Sequence, residues 1–208
     1  MKRTLLAIAL ATVAASASAQ VTFSGGTDQL ILGVYNPSGT TTVQTGGKRD
    51  ALLSTSAGIL TATFLGFEAL DTDTFLTMVS GMLTNKTAIA DVSSLSGIVP
   101  AGPLGFTFGD MFGGGSVGNG GSGGGSGMFD SYIVFGTGTG ASFVPYTKGG
   151  LYDLVIGFND SLQVDGDYDD FVIGLRVAAV PEPETYALMI AGLAAVGFVA
   201  RRRRFPQV

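Results

Sequence analysis

Short runs that are apolar throughout, or that alternate apolar with polar residues, recur between residues 21 and 177. Val21 to Phe23, Leu30 to Tyr35, Ile59 to Phe67, Phe75 to Val79, Tyr132 to Phe135, Leu151 to Phe158 and Phe171 to Val177 are rich in β-branched and aromatic side chains. That pattern predicts strands. Asn36-Pro37-Ser38-Gly39, Gly46-Gly47, Gly102-Pro103, Gly136 to Gly140 and Lys148-Gly149-Gly150 punctuate them as turns. Phe75 to Leu83 alone within the body also admits a helical reading. The period-two rule puts Leu154, Ile156 and Phe158 on one face of their strand, and Phe171, Ile173 and Leu175 on one face of theirs. Many short strands with glycine-rich turns predict an all-β body, an antiparallel β-sandwich over residues 20–180.

Two stretches at the ends break this pattern. Lys2-Arg3, the apolar run Leu5 to Val13 and Ala17-Ser18-Ala19 form the basic, apolar and small-residue regions of a secretory signal peptide over residues 1–19. A cut after Ala19 is expected, which makes the Sec translocon and signal peptidase the first partners. A retained anchor is the alternative, opposed by the shortness of the apolar run. At the other end, Thr185 to Ala200 is sixteen residues without a charge, followed by Arg201, Arg202, Arg203 and Arg204. As a helix it rises roughly 24 Å, short of the roughly 30 Å hydrocarbon core. Snorkelling arginine stems extend it into a transmembrane helix, 185–200, with the arginines cytoplasmic and the body outside. Pro181 and Pro183 continue neither a helix nor a ladder, so the residues before Thr185 are expected to form an extended, protease-accessible spacer. A permanent anchor is the alternative reading of this tail.

Pro181-Glu182-Pro183, the apolar segment and Arg201 to Arg204 together resemble the PEP-CTERM sorting signal of exported proteins of Gram-negative bacteria, over residues 181–208. The resemblance implies a transient anchor in the inner membrane and recognition by an exosortase that cuts near Pro-Glu-Pro. It further implies delivery to the cell surface or extracellular matrix, alongside exopolysaccharide or biofilm. Leu65-Gly66-Phe67-Glu68-Ala69-Leu70-Asp71-Thr72-Asp73-Thr74-Phe75 is similar to a Leu-Gly-x-Glu-Ala-Gly-x-Thr-Asn-x-Phe stretch of such proteins, departing at Leu70 and Asp73. Gly157 to Val172 resembles the aspartate-rich segment they carry before the tail.

Composition narrows what the body does. Between Val21 and Val180 five basic residues face fourteen acidic ones, a net charge of −9. This argues against nucleic acid as a partner. No cysteine is present, so a core, bound ions or assembly must hold the exported chain together. The absence of histidine removes the usual general base and the commonest metal ligand, and with them Ser-His and Cys-His nucleophilic sites. Gly113 to Gly127 holds ten glycines in fifteen residues and reads as a flexible, disordered Gly/Ser loop that packs nothing, dispensable for the fold.

Three function classes follow, and no catalytic residue is assigned in the favoured one. It is a non-catalytic surface or matrix protein acting by association. The second is a glycan-binding module stacking sugars on Tyr35, Tyr132, Tyr146, Tyr152 or Tyr168. The third is a hydrolase with paired carboxylates such as Glu68 and Asp71. One metal site is considered: Asp160, Asp165, Asp167, Asp169 and Asp170 crowd five carboxylates between two strands, and hard oxygen ligands at such spacing suit calcium. The alternative is that these aspartates form Asx-turns and cap strand ends in solvent.

Overall fold

The computed structural model describes residues 19–23, 26–29, 46–69, 72–77, 81–111, 115–120, 131–160, 168–180 and 183–203. In chain order the first strands are β1 (Val21–Phe23), β2 (Thr27–Gln29), β3 (Gly46–Arg49), β4 (Leu52–Ser54) and β5 (Gly58–Gly66). Next come β6 (Asp73–Thr77), β7 (Met82–Thr84), β8 (Ser94–Val99), β9 (Gly102–Pro103) and β10 (Phe106–Asp110). The series ends with β11 (Ser116–Gly118), β12 (Ser131–Thr137), β13 (Val144–Pro145), β14 (Leu154–Asn159) and β15 (Phe171–Ala179), followed by the helix α1 (Pro183–Arg203).

These strands make three sheets. The large one runs β2-β3-β12-β14-β15-β5-β8, with β13 also on β12; the smaller ones run β1-β4-β9 and β11-β10-β6-β7. All pairs in them are antiparallel. A single apolar cluster joins the three: Val21 and Leu52 from the first small sheet, Phe75 and Phe108 from the second, and Phe64, Ile156 and Ile173 from the large one all belong to it. The body is therefore an antiparallel β-sandwich. The faces expected from period two are the ones that pack, with Leu154, Ile156 and Phe158 standing opposite Leu175, Ile173 and Phe171 in adjacent strands.

The centre of the sandwich is aromatic. Phe108 stacks on Phe158 at 5.1 Å and lies 4.9 Å from Phe75. Phe64 and Phe171 sit 5.0 Å apart. This spine crosses from the four-stranded sheet to the large one, and each such pair adds about 0.5 to 1.5 kcal/mol beyond its buried area. The large sheet is buried on its other face too, where Leu65, Ile133, Phe135, Val155, Val172 and Tyr168 cluster under Tyr146 and Tyr152. A Cβ on Gly174 would sit 2.7 Å from the Tyr152 ring, so only glycine lets that ring lie on the strand.

Three expectations are revised. The described residues of Phe75 to Leu83 are not helical: β6 and β7 pair antiparallel, and Phe75 buries against Phe106 and Phe108 across the sheet, while residues 78–80 lie outside the described residues. Gly46-Gly47 and Gly102-Pro103 are not turns; they pair with β12 and β4. The run Gly113 to Gly127 is not wholly a passive coil. Its residues Ser116–Gly118 pair with β10, and Val117 is buried in the core. Leu30 to Tyr35, most of the expected signal peptide and residues 121–127 of the glycine-rich run lie outside the described residues.

Asn119, in the same run, ties the core together. Its Oδ1 accepts from the Leu52 N–H at 2.7 Å, and its Nδ2 donates to the Leu52 and Leu104 carbonyls at 2.8 Å each. The next residue, Gly120, donates its N–H to the Tyr132 hydroxyl at 2.9 Å. Replacing Asn119 by alanine strips partners from three backbone groups, so Asn119→Ala is expected to cost about 1 to 3 kcal/mol in denaturant unfolding. A loss within experimental error would return this part of the run to the status of a passive loop.

Candidate functional site

The C-terminal segment grows directly out of the sandwich. β15 ends at Ala179 and α1 opens at Pro183, leaving residues 180–182 between them. Proline is favoured in the first helical turn, where its missing N–H would have no partner. The extended spacer expected to reach Thr185 is thus shorter, because Pro183 and Glu184 already belong to the helix. Pro181, Glu182 and Arg204 lie outside the described residues; Pro183 and Arg201 to Arg203 fall within α1.

From Tyr186 to Arg201 every residue of α1 is exposed, including Leu188, Ile190, Leu193, Val196 and Phe198. A helix apolar on all sides that packs against no sheet suits a lipid environment better than water. Among the described residues no helix is long and apolar enough to cross a membrane.

The two ends of the body meet at one carboxylate. Asp153 Oδ2 accepts from the Val21 N–H and from the Val177 N–H, both at 2.9 Å. Gln20 and Thr55 exchange backbone and side-chain hydrogen bonds at 3.0 Å. Ala19 is buried against the core, while Ala17 lies outside the described residues. A peptidase cutting after Ala19 must then act before the body folds. Sequence reasoning read Asp153 only as part of a strand start, because its two partners lie 132 and 24 residues away.

Of the five aspartates considered for calcium, the structure brings Asp160 and Asp170 together: both are buried, and the Asp160 N–H donates to Asp170 Oδ2 at 2.9 Å. Asp169 is half-buried, and its carbonyl accepts from the Glu68 N–H. Asp165 and Asp167 lie outside the described residues, and among the described residues no group of three or more acidic side chains is arranged to hold a metal. The Asp170 carboxylate thus serves the Asp160 backbone.

The remaining candidates separate. Glu68 is exposed, and Asp71 lies outside the described residues, as does Tyr35. Tyr132 is fully buried; its hydroxyl donates to the Asp50 carbonyl, and burial pushes its pKa up to about 12. Burial also raises the Tyr146 hydroxyl. Tyr146, Tyr152 and Tyr168 cover the outer apolar cluster and pack the fold there. A buried polar group that sequence reasoning missed closes one end of the four-stranded sheet. Asp73 and Asp110 stand opposite each other, and Asn85 accepts from the Asp73 N–H at 3.2 Å.

The second feature with chemistry is a cavity of about 420 Å³ where β1, β2 and β3 meet the turn after β12. Phe23, Asp28, Lys48, Gly140, Ala141 and Phe143 line it. Lys48 Nζ is 3.1 Å from Asp28 and 5.5 Å from the centre of the Phe143 ring. The Gly140 N–H donates to the Asp28 carboxylate at 2.9 Å, and Lys48 first, then Gly140, hold that carboxyl below its ordinary value of 3.8. No local motif announces this site, since its residues span positions 23 to 143.

Comparison with known proteins locates the one feature shared with others. The sequence model of the PEP-CTERM protein-sorting motif matches residues 179–204. No curated protein and no solved structure matches the chain. The matched residues begin at the last residue of β15 and take in the whole of α1. The motif implies export, transient membrane anchoring and exosortase processing. The chain thus carries a PEP-CTERM protein-sorting motif at residues 179–204, which supports its being an exosortase substrate.

Proposed function

We propose that this exosortase substrate is a non-catalytic protein of the cell surface or extracellular matrix, associated with exopolysaccharide or biofilm. The observation that carries the reading is the division of labour along the chain. The sorting motif is confined to residues 179–204, and the sandwich before it is held by apolar and aromatic packing. Its charge of −9, without histidine or cysteine, favours association over nucleophilic chemistry. Residues 1–19 carry the chain to the Sec translocon and signal peptidase. Thr185 to Ala200 then holds it in the inner membrane with Arg201 to Arg204 on the cytoplasmic side, until exosortase releases the body outward.

Intact mass of the surface-exposed form tests this reading. The expected species begins at Gln20 and lacks the apolar tail and its arginines. A surface form that still includes Arg201 to Arg204 would establish a permanent anchor instead.

A further inference from the structure

The cavity lined by Phe23, Asp28, Lys48, Gly140, Ala141 and Phe143 is built by four separate segments of the chain. Its volume of about 420 Å³ lies within the range of roughly 300 to 1,000 Å³ usual for small-molecule sites. Two kinds of group line it. One is apolar: the Phe23 and Phe143 rings, both half-buried, meet edge to face at 5.8 Å. The other is a charged pair of opposite sign, with Lys48 almost wholly buried and Asp28 open to solvent. Lys48 is held in place by Asp28 and by the Phe143 ring, and Asp28 by Gly140, so these polar groups are positioned before any ligand arrives.

Charge narrows the ligand. A simple cation meets Lys48, and a simple anion meets Asp28 within a body of net charge −9. A purely apolar ligand would leave both charged groups facing hydrocarbon. A neutral molecule with an apolar face for the rings and hydroxyls at its rim suits both kinds of group. Such hydroxyls donate to the Asp28 carboxylate and accept from the Lys48 ammonium, making charge-assisted hydrogen bonds.

We propose that this cavity is a subsite for a neutral saccharide, one or two sugar units of a polysaccharide chain. The sugar lies against Phe23 and Phe143 with its hydroxyls on Asp28 and Lys48. The proposal deepens the polysaccharide association proposed above and rests on that reading for the polymeric nature of the ligand.

The test uses the full chain in a non-glycosidic detergent, titrated with neutral gluco-, manno- and galacto-configured tetrasaccharides and with glycine as a zwitterionic control. Calorimetry should detect binding of at least one tetrasaccharide and none of glycine. Ala141 is exposed, so Ala141→Trp fills the cavity without entering the core; it and Asp28→Asn should each weaken binding by about tenfold or more, roughly 1.4 kcal/mol. Melting temperatures close to the parent's in both variants would show that the fold is intact. Tetrasaccharide binding undiminished in both variants would overturn the site while leaving polysaccharide association standing elsewhere on the surface. Failure of the parent to bind any of the tetrasaccharides, or glycine binding lost in the same variants, would overturn the proposal itself. The surface-delivery reading fails separately, through the mass of the exported form.

Discussion

Replacing Pro181, Glu182 and Pro183 together by alanine is expected to abolish processing and to accumulate a membrane-bound precursor. The physical case rests on how little chain separates the body from the membrane segment. β15 ends at Ala179 and α1 begins at Pro183, so an enzyme acting at the motif works within three residues of the end of a folded strand. Pro181 cannot extend the β15 ladder, and each proline biases the residue before it towards extended backbone. Alanines reverse both preferences, since alanine is the best helix former and would let α1 propagate back towards Val180. The variant therefore loses the motif's side chains and the proline constraints on its backbone together. Cell fractionation with intact mass is the measurement. Processing at the parental rate would show that the motif is not what the enzyme reads.

The second large effect is on the body. Phe108→Ala is expected to cost about 3 to 5 kcal/mol in denaturant unfolding, the range for removing a fully buried phenylalanine. Phe108 is completely buried, and its ring lies within 6.2 Å of five others: Phe75, Phe106, Tyr132, Phe158 and Phe171. It bridges the four-stranded sheet to the large one, so neither sheet can close over the vacancy without parting from the other. With domain stabilities of about 5 to 15 kcal/mol and no disulfide to limit the unfolded state, that loss removes much of the margin. Phe108→Leu, which keeps most of the volume, should cost distinctly less. A loss below about 1 kcal/mol for the alanine variant would mean that the two sheets are held together elsewhere.

The sorting signal and the core of the large sheet were legible from local pattern. A motif, an apolar run and an arginine cluster carry their meaning within 28 residues, because charge, proline geometry and hydropathy act over a few positions. The strands β5, β14 and β15 were legible for a related reason. Their apolar runs are long enough to show themselves, and the alternation of Leu154, Ile156 and Phe158 already names the face that packs. The same local logic misread Ser116 to Gly118 within the glycine-rich run. Glycine has no intrinsic preference for a strand, and Ser116–Gly118 becomes one only because β10 supplies its partners.

What tertiary structure alone decided is everything that depends on distant neighbours. Gly46-Gly47 carries turn chemistry by itself, yet it forms β3 because β12 lies alongside. A Cβ on Gly47 would come within 2.4 Å of Ile133 Cδ1, a constraint invisible in the residues around it. Asp153 is an ordinary turn aspartate until folding brings it the N–H groups of Val21 and Val177. The cavity is the extreme case. Phe23, Lys48 and Phe143 have no local reason to meet, and the site exists because long-range strand pairing puts β1, β3 and the turn after β12 at one corner of the sandwich. Sequence pattern records what each residue prefers among its near neighbours; hydrogen-bond partners and ring contacts a hundred residues away enter only when the chain closes.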